Sequence, residues 1–373
     1  MAPSALYIHV PFCVHHCGYC DFTVLAGRDD LMPDWLSAIQ NELLALPAAT
    51  RLQTVFIGGG TPTHLPADHL DQLLSFIRQH FVISDDAELS VEANPDGFSQ
   101  AVLDTLVRQG VNRLSLGVQS FDDQCLRVLE RQHTASSAVA TIRHAAAAIP
   151  NISVDLMFAV PNQSLSSWKD TLRVATSLPA RHISTYGLTW EDGTQFVARE
   201  RRGDLQRAEE VLERDMYLAA IAHLTDNGFE HYEVSNFAKP GHQSRHNRVY
   251  WAADEYFAAG PGASRYVGGT RSTNTRNVRR WIASWKAGDP CVDVEETLGS
   301  EERAREAIML ALRLRSGLNM RQFETRFAVS LQDLAGSALQ DNIDRGWLEI
   351  ENGHLRLTPD GLLLADHIIT DFL

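Results

Sequence analysis

The sequence predicts an α/β protein in which six βα units form a partial barrel and a smaller α+β unit follows at the C-terminal end. Short, apolar, strand-like runs recur at residues 5–10, 54–57, 88–92, 113–117, 152–157 and 182–186. A longer segment with helical apolar spacing follows each run, as in residues 31–46 and 67–81. Strands separated by helices run parallel, because each crossover returns the chain to the same edge of the sheet.

The length of 373 residues exceeds one average domain. We expect a core domain over residues 1–236, a linking region of loops and short strands over 237–299, and a helical domain with a β-hairpin over 300–373. The composition, 44% hydrophobic and 21% charged, is ordinary for a globular protein, and no apolar run is long enough to span a bilayer. The first strand begins almost at Met1 and leaves no room for a signal peptide, so we expect a cytoplasmic protein.

Helix and turn signals predict the C-terminal unit. Ser300 suits the N-cap of its first helix, and Asn352-Gly353 suits a type I′ hairpin turn between strands at 347–351 and 354–357. Helices are expected over residues 300–317, 321–327 and 331–345, with a last helix from 359. Helices followed by a hairpin resemble a winged helix, a fold often used on DNA.

The charge of the protein opposes nucleic-acid binding. The chain has a net charge of −14, and residues 300–373 carry eight Arg, no Lys and twelve Asp plus Glu. A surface of this sign repels phosphates instead of neutralising them. The charge therefore argues against a general polyanion binder and leaves only a local basic patch open.

Three of the five cysteines, Cys13, Cys17 and Cys20, lie within eight residues directly after the first strand. In a reducing compartment such a group is more typical of a metal site than of disulfides. Three thiolates on one loop suit three irons of a [4Fe-4S] cluster and leave the fourth iron without a protein ligand. Two alternatives are a zinc site completed by His15 or His16, and a thioredoxin-like pair formed by Cys17 and Cys20.

Other unusual residues follow the ends of successive predicted strands. They are Gly58, Gly59, Gly60, Glu92, Gln119, Asp155 and Tyr186. Parallel barrels place their chemistry at this end of the strands. Each residue could also have a purely structural role, such as a tight turn for the glycines or a paired carboxylate for Glu92. Their shared position favours a common site.

The spacing C-x₃-C-x₂-C, preceded by Tyr7-x-His9-x-Pro11, resembles the signature of the radical S-adenosylmethionine (SAM) superfamily. The resemblance implies a partial (β/α)6, TIM-like radical SAM barrel, in which the open iron of the cluster holds SAM and one electron cleaves it. Later motifs, including Gly58-Gly-Gly-Thr-Pro62 and Gly117-Val-Gln-Ser-Phe121, are similar to the coproporphyrinogen-oxidase-like branch. On this resemblance, SAM contacts are expected from Tyr7, Tyr19, Gly59, Gly60, Thr61, Glu92, Gln119, Arg131 and Asp155. One departure is Ala159, where the branch usually has glycine.

Two features separate the chain from the oxygen-independent coproporphyrinogen III oxidases of this branch. Those enzymes have a fourth cysteine two residues after the third, where this chain has Phe22, and a longer N-terminal extension. Both features are similar to the related haem chaperones of the HemW family. A further similarity is the HNxxYW motif formed by His246, Tyr250 and Trp251. An imidazole can ligate haem iron and aromatic rings can cover a porphyrin, although one histidine beside aromatics is more often a core residue.

Three functions of different classes therefore compete. The first is a haem chaperone that delivers haem to apo-haemoproteins such as respiratory cytochromes, with a cluster and SAM bound in the core, a cluster-dependent homodimer and peripheral membrane contact through its recipients. The second is a coproporphyrinogen III oxidase that decarboxylates propionates by radical chemistry. The third is a DNA-binding module with a zinc knuckle, which the acidic C-terminal unit opposes.

Overall fold

The computed structural model describes residues 3–96 and 99–372, so the outermost residues of the expected first and last domains lie outside it. Nine strands form the main sheet in the order β11-β1-β4-β5-β6-β7-β8-β10-β9. The strands are, in chain order, β1 (Ala5–Val10), β2 (Phe12–Cys13), β3 (Leu25–Ala26), β4 (Arg51–Gly59), β5 (Val82–Ala93), β6 (Arg113–Gln119), β7 (Asn151–Phe158), β8 (His182–Gly187), β9 (Glu230–Glu233), β10 (Asn236–Ala238), β11 (Phe257–Ala259), β12 (Ser264–Val267), β13 (Thr270–Asn274), β14 (Val292–Thr297), β15 (Leu318–Asn319), β16 (Leu348–Glu351) and β17 (His354–Leu357).

The six predicted strands are confirmed as the parallel centre of this sheet, from β1 and β4 through β8. β11 extends it in parallel beside β1, and β10 and β9 extend it antiparallel beyond β8. The pairing also fixes which residues face one another, for example Gly117 opposite Asp155 and Asp155 opposite Ser184. A register slip of one residue would turn these polar groups to the other face.

Helices cover the outside of the sheet, as expected for parallel strands buried on both faces. They are α1 (Met32–Leu44), α2 (Ala67–His80), α3 (Gln100–Arg108), α4 (Asp123–Val128), α5 (Ala135–Ala148), α6 (Leu165–Ser177), α7 (Gln195–Arg201), α8 (Glu210–Asp226), α9 (Arg245–Trp251), α10 (Val278–Ala287), α11 (Ser300–Ala311), α12 (Met320–Phe327), α13 (Leu331–Asp344), α14 (Pro359–Leu362) and α15 (Ala365–Thr370).

The apolar faces of these helices build the main core. In α2, Leu70, Leu73, Leu74 and Ile77 follow helical spacing and are all buried. Several N-termini are closed by a side-chain oxygen that accepts a backbone N–H, as Ser99 does for α3. The strands are therefore held by packing on the helix side, which leaves their other face free for polar residues.

The expected linking region, residues 237–299, contributes directly to the main sheet and core. Phe237 lies in β10 and is fully buried, and β11 and α10 pack against β1 and α1. The sequence predicted loops and short strands here, and α9 was missed because polar and aromatic residues mask its helical pattern. The HNxxYW motif therefore lies on a helix.

The C-terminal unit has its own hydrophobic core and a three-stranded sheet in the order β15-β17-β16. The predicted hairpin is confirmed, and Asn352 and Gly353 have the positive φ values of 51° and 76° that a type I′ turn needs. Two details of the prediction were wrong. Gly299 is the N-cap of α11, with its N–H bonded to the Glu302 carboxylate, and α11 ends at Ala311 because the chain turns into β15.

Within the described residues, no helix has both the length and the apolar character needed to cross a bilayer.

Candidate functional site

A cavity of about 570 Å³ lies at the carboxyl ends of the central strands. Eleven of the residues predicted to form a site line it, namely Cys13, Cys17, Tyr19, Cys20, Gly59, Gly60, Glu92, Gln119, Arg131, Asp155 and Tyr186. These residues come from the cysteine loop and from β4, β5, β6, β7 and β8, or the segments that follow them. The parallel topology thus brings together side chains that are more than 100 positions apart in sequence.

The cysteine loop connects β2 to β3 and turns sharply on itself. The Cys20 N–H donates to the Cys17 carbonyl at 3.0 Å, and all three thiols are half-buried and free of disulfides. Cys13 Sγ lies 3.4 Å from Thr61 Oγ1. Burial raises the pKa of Cys13 to about 11. The thiols are therefore protonated unless positive charge, such as that of iron, is bound beside them.

Glu130 supports this loop from outside the cavity, a role that the sequence did not suggest. Its carboxylate accepts the Gly18 N–H at 2.9 Å and pairs with Arg199 at 2.9 Å, and His15 Nε2 lies 3.6 Å away. Glu130 has a positive φ of 58°. Only its position next to Arg131 could have drawn attention to it.

Arg131 lies between the loop and the strand ends. Its Nη2 donates to Asn94 Oδ1 at 2.6 Å and to the Gly117 carbonyl at 2.8 Å, and its Nη1 lies 3.8 Å from Cys17 Sγ. Its Nε has no hydrogen-bond partner among the described residues. Asn94, which the sequence analysis did not assign, also donates to Thr61 Oγ1 at 2.8 Å and so links Arg131 to the glycine turn.

In the glycine turn after β4, neither Gly59 nor Gly60 could carry a side chain. Gly59 has a φ of 113°, and a Cβ there would lie 2.6 Å from the His9 ring. A Cβ on Gly60 would lie 2.7 Å from the Phe12 carbonyl and 2.9 Å from Cys13 Sγ. Glycine is thus required for the turn to approach the cysteine loop.

Two carboxyl groups lie at the floor of the cavity. Glu92 accepts the Gly59 N–H at 3.0 Å, and burial together with the nearby Asp155 carboxylate raises its pKa to about 8. Asp155 accepts hydroxyl groups from Ser184 at 2.7 Å and Ser115 at 2.9 Å, and burial raises its pKa. Glu92 has a second carboxylate oxygen besides the one that accepts the Gly59 N–H. The Asp155 carboxylate, by contrast, is largely used by its hydrogen bonds to the serines.

Two predicted SAM contacts, Tyr7 and Thr61, are adjacent to the cavity without lining it. The Tyr7 hydroxyl bonds to His9 Nδ1 at 3.1 Å, and its ring stacks on Phe56. Thr61 bonds to Cys13 and Asn94, as described above. Tyr7 and Thr61 both lie behind the residues that line the cavity.

The HNxxYW motif lies at the opposite end of the barrel. The His246 ring is buried, with Nδ1 2.9 Å from Thr54 Oγ1 and Nε2 2.8 Å from the Tyr250 hydroxyl. Burial lowers the pKa of His246 to about 3. The start of α9 is fixed as well, because Glu88 accepts the N–H groups of Arg245 at 3.1 Å and of His246 at 3.0 Å.

Neither ring nitrogen of His246 is available for iron in this arrangement, and Trp251 packs beneath Arg313 on another side of α9. Ligation of haem by His246, with Tyr250 and Trp251 covering the porphyrin, stays a prediction. It requires α9 to withdraw from the base of the barrel.

The residues of the cavity fit a [4Fe-4S] cluster and SAM. Across residues 3–96 and 99–372, no three His, Cys, Asp or Glu side chains converge as a single metal ion would need. A cubane makes a different demand, since each thiolate binds its own iron. The three half-buried thiols, the glycine turn and Arg131 line one cavity, and together they offer sulfur ligands and a cationic side chain for a carboxylate.

Family comparisons match two parts of the chain. Residues 7–175 match the Radical SAM superfamily, and residues 298–364 match the HemN C-terminal domain. The coproporphyrinogen III oxidase HemN of Escherichia coli has a similar fold, with a TM-score of 0.87 over 99% of this chain and 90% of that one, at 22% identity.

Curated relatives match over the full length. The "Heme chaperone HemW" of Bacillus subtilis is 37% identical over 99% of both chains, and that of Lactococcus lactis is 34% identical over 100% of this chain and 97% of its own. The mitochondrial "Radical S-adenosyl methionine domain-containing protein 1" of mouse is 32% identical over 99% of this chain and 87% of its own. The parallel sheet, the three-cysteine cavity and these full-length similarities agree, and the chain belongs to the HemW family of radical SAM proteins.

Proposed function

We propose that this protein binds haem and delivers it to apo-haemoproteins while a [4Fe-4S] cluster and SAM occupy its core. The observation that carries the proposal is the full-length similarity to proteins named Heme chaperone HemW, at 37% identity over 99% of both chains for the Bacillus subtilis protein. A cytoplasmic location, expected from the sequence, suits the three free thiols because that compartment is reducing.

Within the cavity, Cys13, Cys17 and Cys20 would hold the cluster. Arg131 supports SAM binding by placing a positive charge at the cavity wall, and Glu92 by an acceptor oxygen suited to ribose hydroxyls. The cluster, when bound, would supply an electron to SAM. The glycine turn and the half-buried loop would shield it from water and oxidants.

Phe22 favours a chaperone over a coproporphyrinogen oxidase. It occupies the position of the fourth cysteine expected in the oxidases, and it lines the cavity with 65% of its surface exposed. A phenyl ring offers no sulfur ligand. The likeness to HemN at 22% identity concerns the fold.

The decisive experiment combines two assays on anaerobically reconstituted, full-length protein. We expect haem to bind with a Soret band and to pass to the apo form of a b-type cytochrome. We expect no protoporphyrinogen IX from coproporphyrinogen III, SAM and a reductant. Formation of that product, or absence of haem binding, would contradict the proposal.

The same samples test the finer parts of the proposal. Cys17→Ser is expected to lose the cluster and its acid-labile sulfide, whereas Cys125→Ala, a buried thiol outside the cavity, keeps both. Sedimentation of the two variants tests whether a cluster-dependent homodimer forms. Transfer to apo-cytochrome in vesicles, compared with transfer in solution, tests membrane contact through the recipient.

A further inference from the structure

A second cleft, of about 860 Å³, lies between α8, the end of β7 and the C-terminal unit. The residues that give it its character are Phe158, Tyr217, Trp347, Leu363, Leu364 and His367. Phe158 and Tyr217 stack at 6.2 Å between ring centroids, and the Tyr217 hydroxyl is occupied by the Val234 carbonyl at 2.7 Å. Phe158 is only 5% exposed and Tyr217 is half-buried, so these rings form an apolar wall of the cleft instead of offering polar groups. A cleft of this volume suits a large, flat organic ligand.

The rim of this cleft exposes aliphatic side chains that usually lie inside proteins. Val211 on α8 is 62% exposed, and Leu363 and Leu364, between α14 and α15, are 36% and 39% exposed. All three line the cleft. Contiguous exposed apolar groups around a cavity mark a binding site more often than scattered ones do. A ligand that covered them would gain the free energy of burying their surface.

His367 brings a metal ligand to the same cleft. It is exposed, its ring meets Trp347 edge to face at 6.1 Å, and its ring nitrogens have no hydrogen-bond partner in the described part of the chain. His246, by contrast, has both nitrogens engaged in the core. A histidine imidazole is a common axial ligand of haem iron, and the aromatic and aliphatic groups beside His367 can cover part of a porphyrin.

The cleft also adjoins the cavity proposed for the cluster and SAM. Gly187, at the end of β8, lines that cavity. A Cβ on Gly187 would lie 3.0 Å from Glu213 Oε1 and 3.4 Å from the Phe158 ring, both of which line the cleft. One glycine therefore separates the two spaces. If the cluster and SAM take the first cavity, a porphyrin in the second would lie directly beside them.

We infer that this cleft is the haem site, with His367 as an iron ligand and the porphyrin covering Leu363, Leu364 and Val211. The inference rests on the proposed haem-binding function. Arg214 on α8 lines the cleft, but its guanidinium is paired with Asp215 at 2.9 Å, so it adds little positive charge for a propionate. Four rim carboxylates, those of Glu210, Glu213, Asp360 and Asp366, oppose the propionates. Haem is then held by its face and its iron with little help from charge, which suits a protein that must release it.

Haem titration of the full-length, cluster-loaded protein tests the site through His367→Ala and Leu363→Glu. Both side chains are exposed, so neither change removes core packing. His144→Ala is the matched control, an exposed histidine on α5 that does not line the cleft. We expect His367→Ala to shift the Soret band and to raise the Kd by about tenfold or more, and Leu363→Glu to raise it by about tenfold. His144→Ala should bind as the wild type does.

The outcomes separate this inference from the proposed function. If the wild type binds no haem, the proposed function fails and the site fails with it. If the wild type binds haem and both cleft variants bind it equally well, the cleft inference alone is overturned. Loss of binding in His246→Ala, with the cleft variants unchanged and the fold intact by circular dichroism, would place haem at α9 instead.

Discussion

Both ends of the barrel carry residues that the sequence singles out as candidate ligands. The two ends differ in whether those residues line a cavity or are hydrogen-bonded within the chain. At the carboxyl end, Arg131 and three thiols that form no disulfide line an open cavity. At the other end, His246 uses both ring nitrogens, and Glu88 accepts the first N–H groups of α9. One end turns cysteine and arginine side chains toward a cavity, whereas at the other end both ring nitrogens of the histidine are paired within the chain and Trp251 Nε1 is without a partner among the described residues.

This contrast shows that residue type alone does not mark a site. From the sequence, a histidine beside two aromatic residues is interpreted as a haem ligand. In the structure, its hydrogen bonds instead hold α9 across the end of the barrel. Buried polar groups cost free energy unless they are paired, so a protein leaves them unpaired mainly where a ligand completes them. The pairing of both His246 ring nitrogens, set against the open cavity beside the cysteine loop, therefore separates a structural end from a binding end.

The largest effect that this contrast predicts is on stability at the closed end. His246→Ala would leave Thr54 Oγ1 and the Tyr250 hydroxyl without their partner and open a cavity beside Phe56. We expect a loss of about 2–4 kcal/mol in the free energy of unfolding. Urea unfolding measures it, with His144→Ala as the exposed control. A change of less than about 0.5 kcal/mol, the usual size at the surface, would show that α9 is not a structural closure.

The second prediction concerns pH at the open end. Glu92 has its pKa raised from 4.5 to about 8, so the folded protein binds this proton more tightly than the unfolded chain does. The resulting stabilisation is complete below pH 4.5 and is lost as the pH rises to about 8. In protein without SAM, stability should fall across this window with a slope of up to about 1.4 kcal/mol per pH unit.

Glu92→Gln removes this ionisation and keeps an acceptor for the Gly59 N–H. Its stability should stay flatter than that of the wild type between pH 5 and 8, a window that thermal melts at several pH values cover. Equal slopes in the two proteins would mean that Glu92 is ionised throughout. Such a result would contradict the effect of burial on Glu92 described above.

Much of the fold could be predicted because its signals are local. The six central strands alternate with helices, and Asn352-Gly353 encodes its own hairpin turn. The additions at the sheet edges could not be predicted. β9, β10 and β11 are three or four residues long, and their pairing with β8 and β1 depends on contacts between distant segments. Tertiary packing, not propensity, selects them.

The candidate site likewise has parts that could be predicted from the sequence and parts that could not. The cysteine loop, the glycine turn and the strand-end residues share one position in the repeating pattern, and they meet in one cavity. Asn94, Glu130 and Arg199 act by accepting or donating bonds to other site residues. Such supporting roles leave no pattern in a single sequence, because any polar residue at the right distance could serve.

The smallest predicted effect concerns Glu130, which supports the cysteine loop at the open end of the barrel. Glu130→Gln keeps an acceptor for the Gly18 N–H but loses the charge that pairs with Arg199. Because a charge-assisted bond is stronger than a neutral one by about 1 kcal/mol, the cysteine loop should open about fivefold more often. The half-life of the cluster under a chelator should shorten by a similar factor, followed by the decay of its visible absorbance. Glu301→Gln, an exposed glutamate on α11, is the matched control, and equal half-lives in the two variants would show that the loop is held without Glu130.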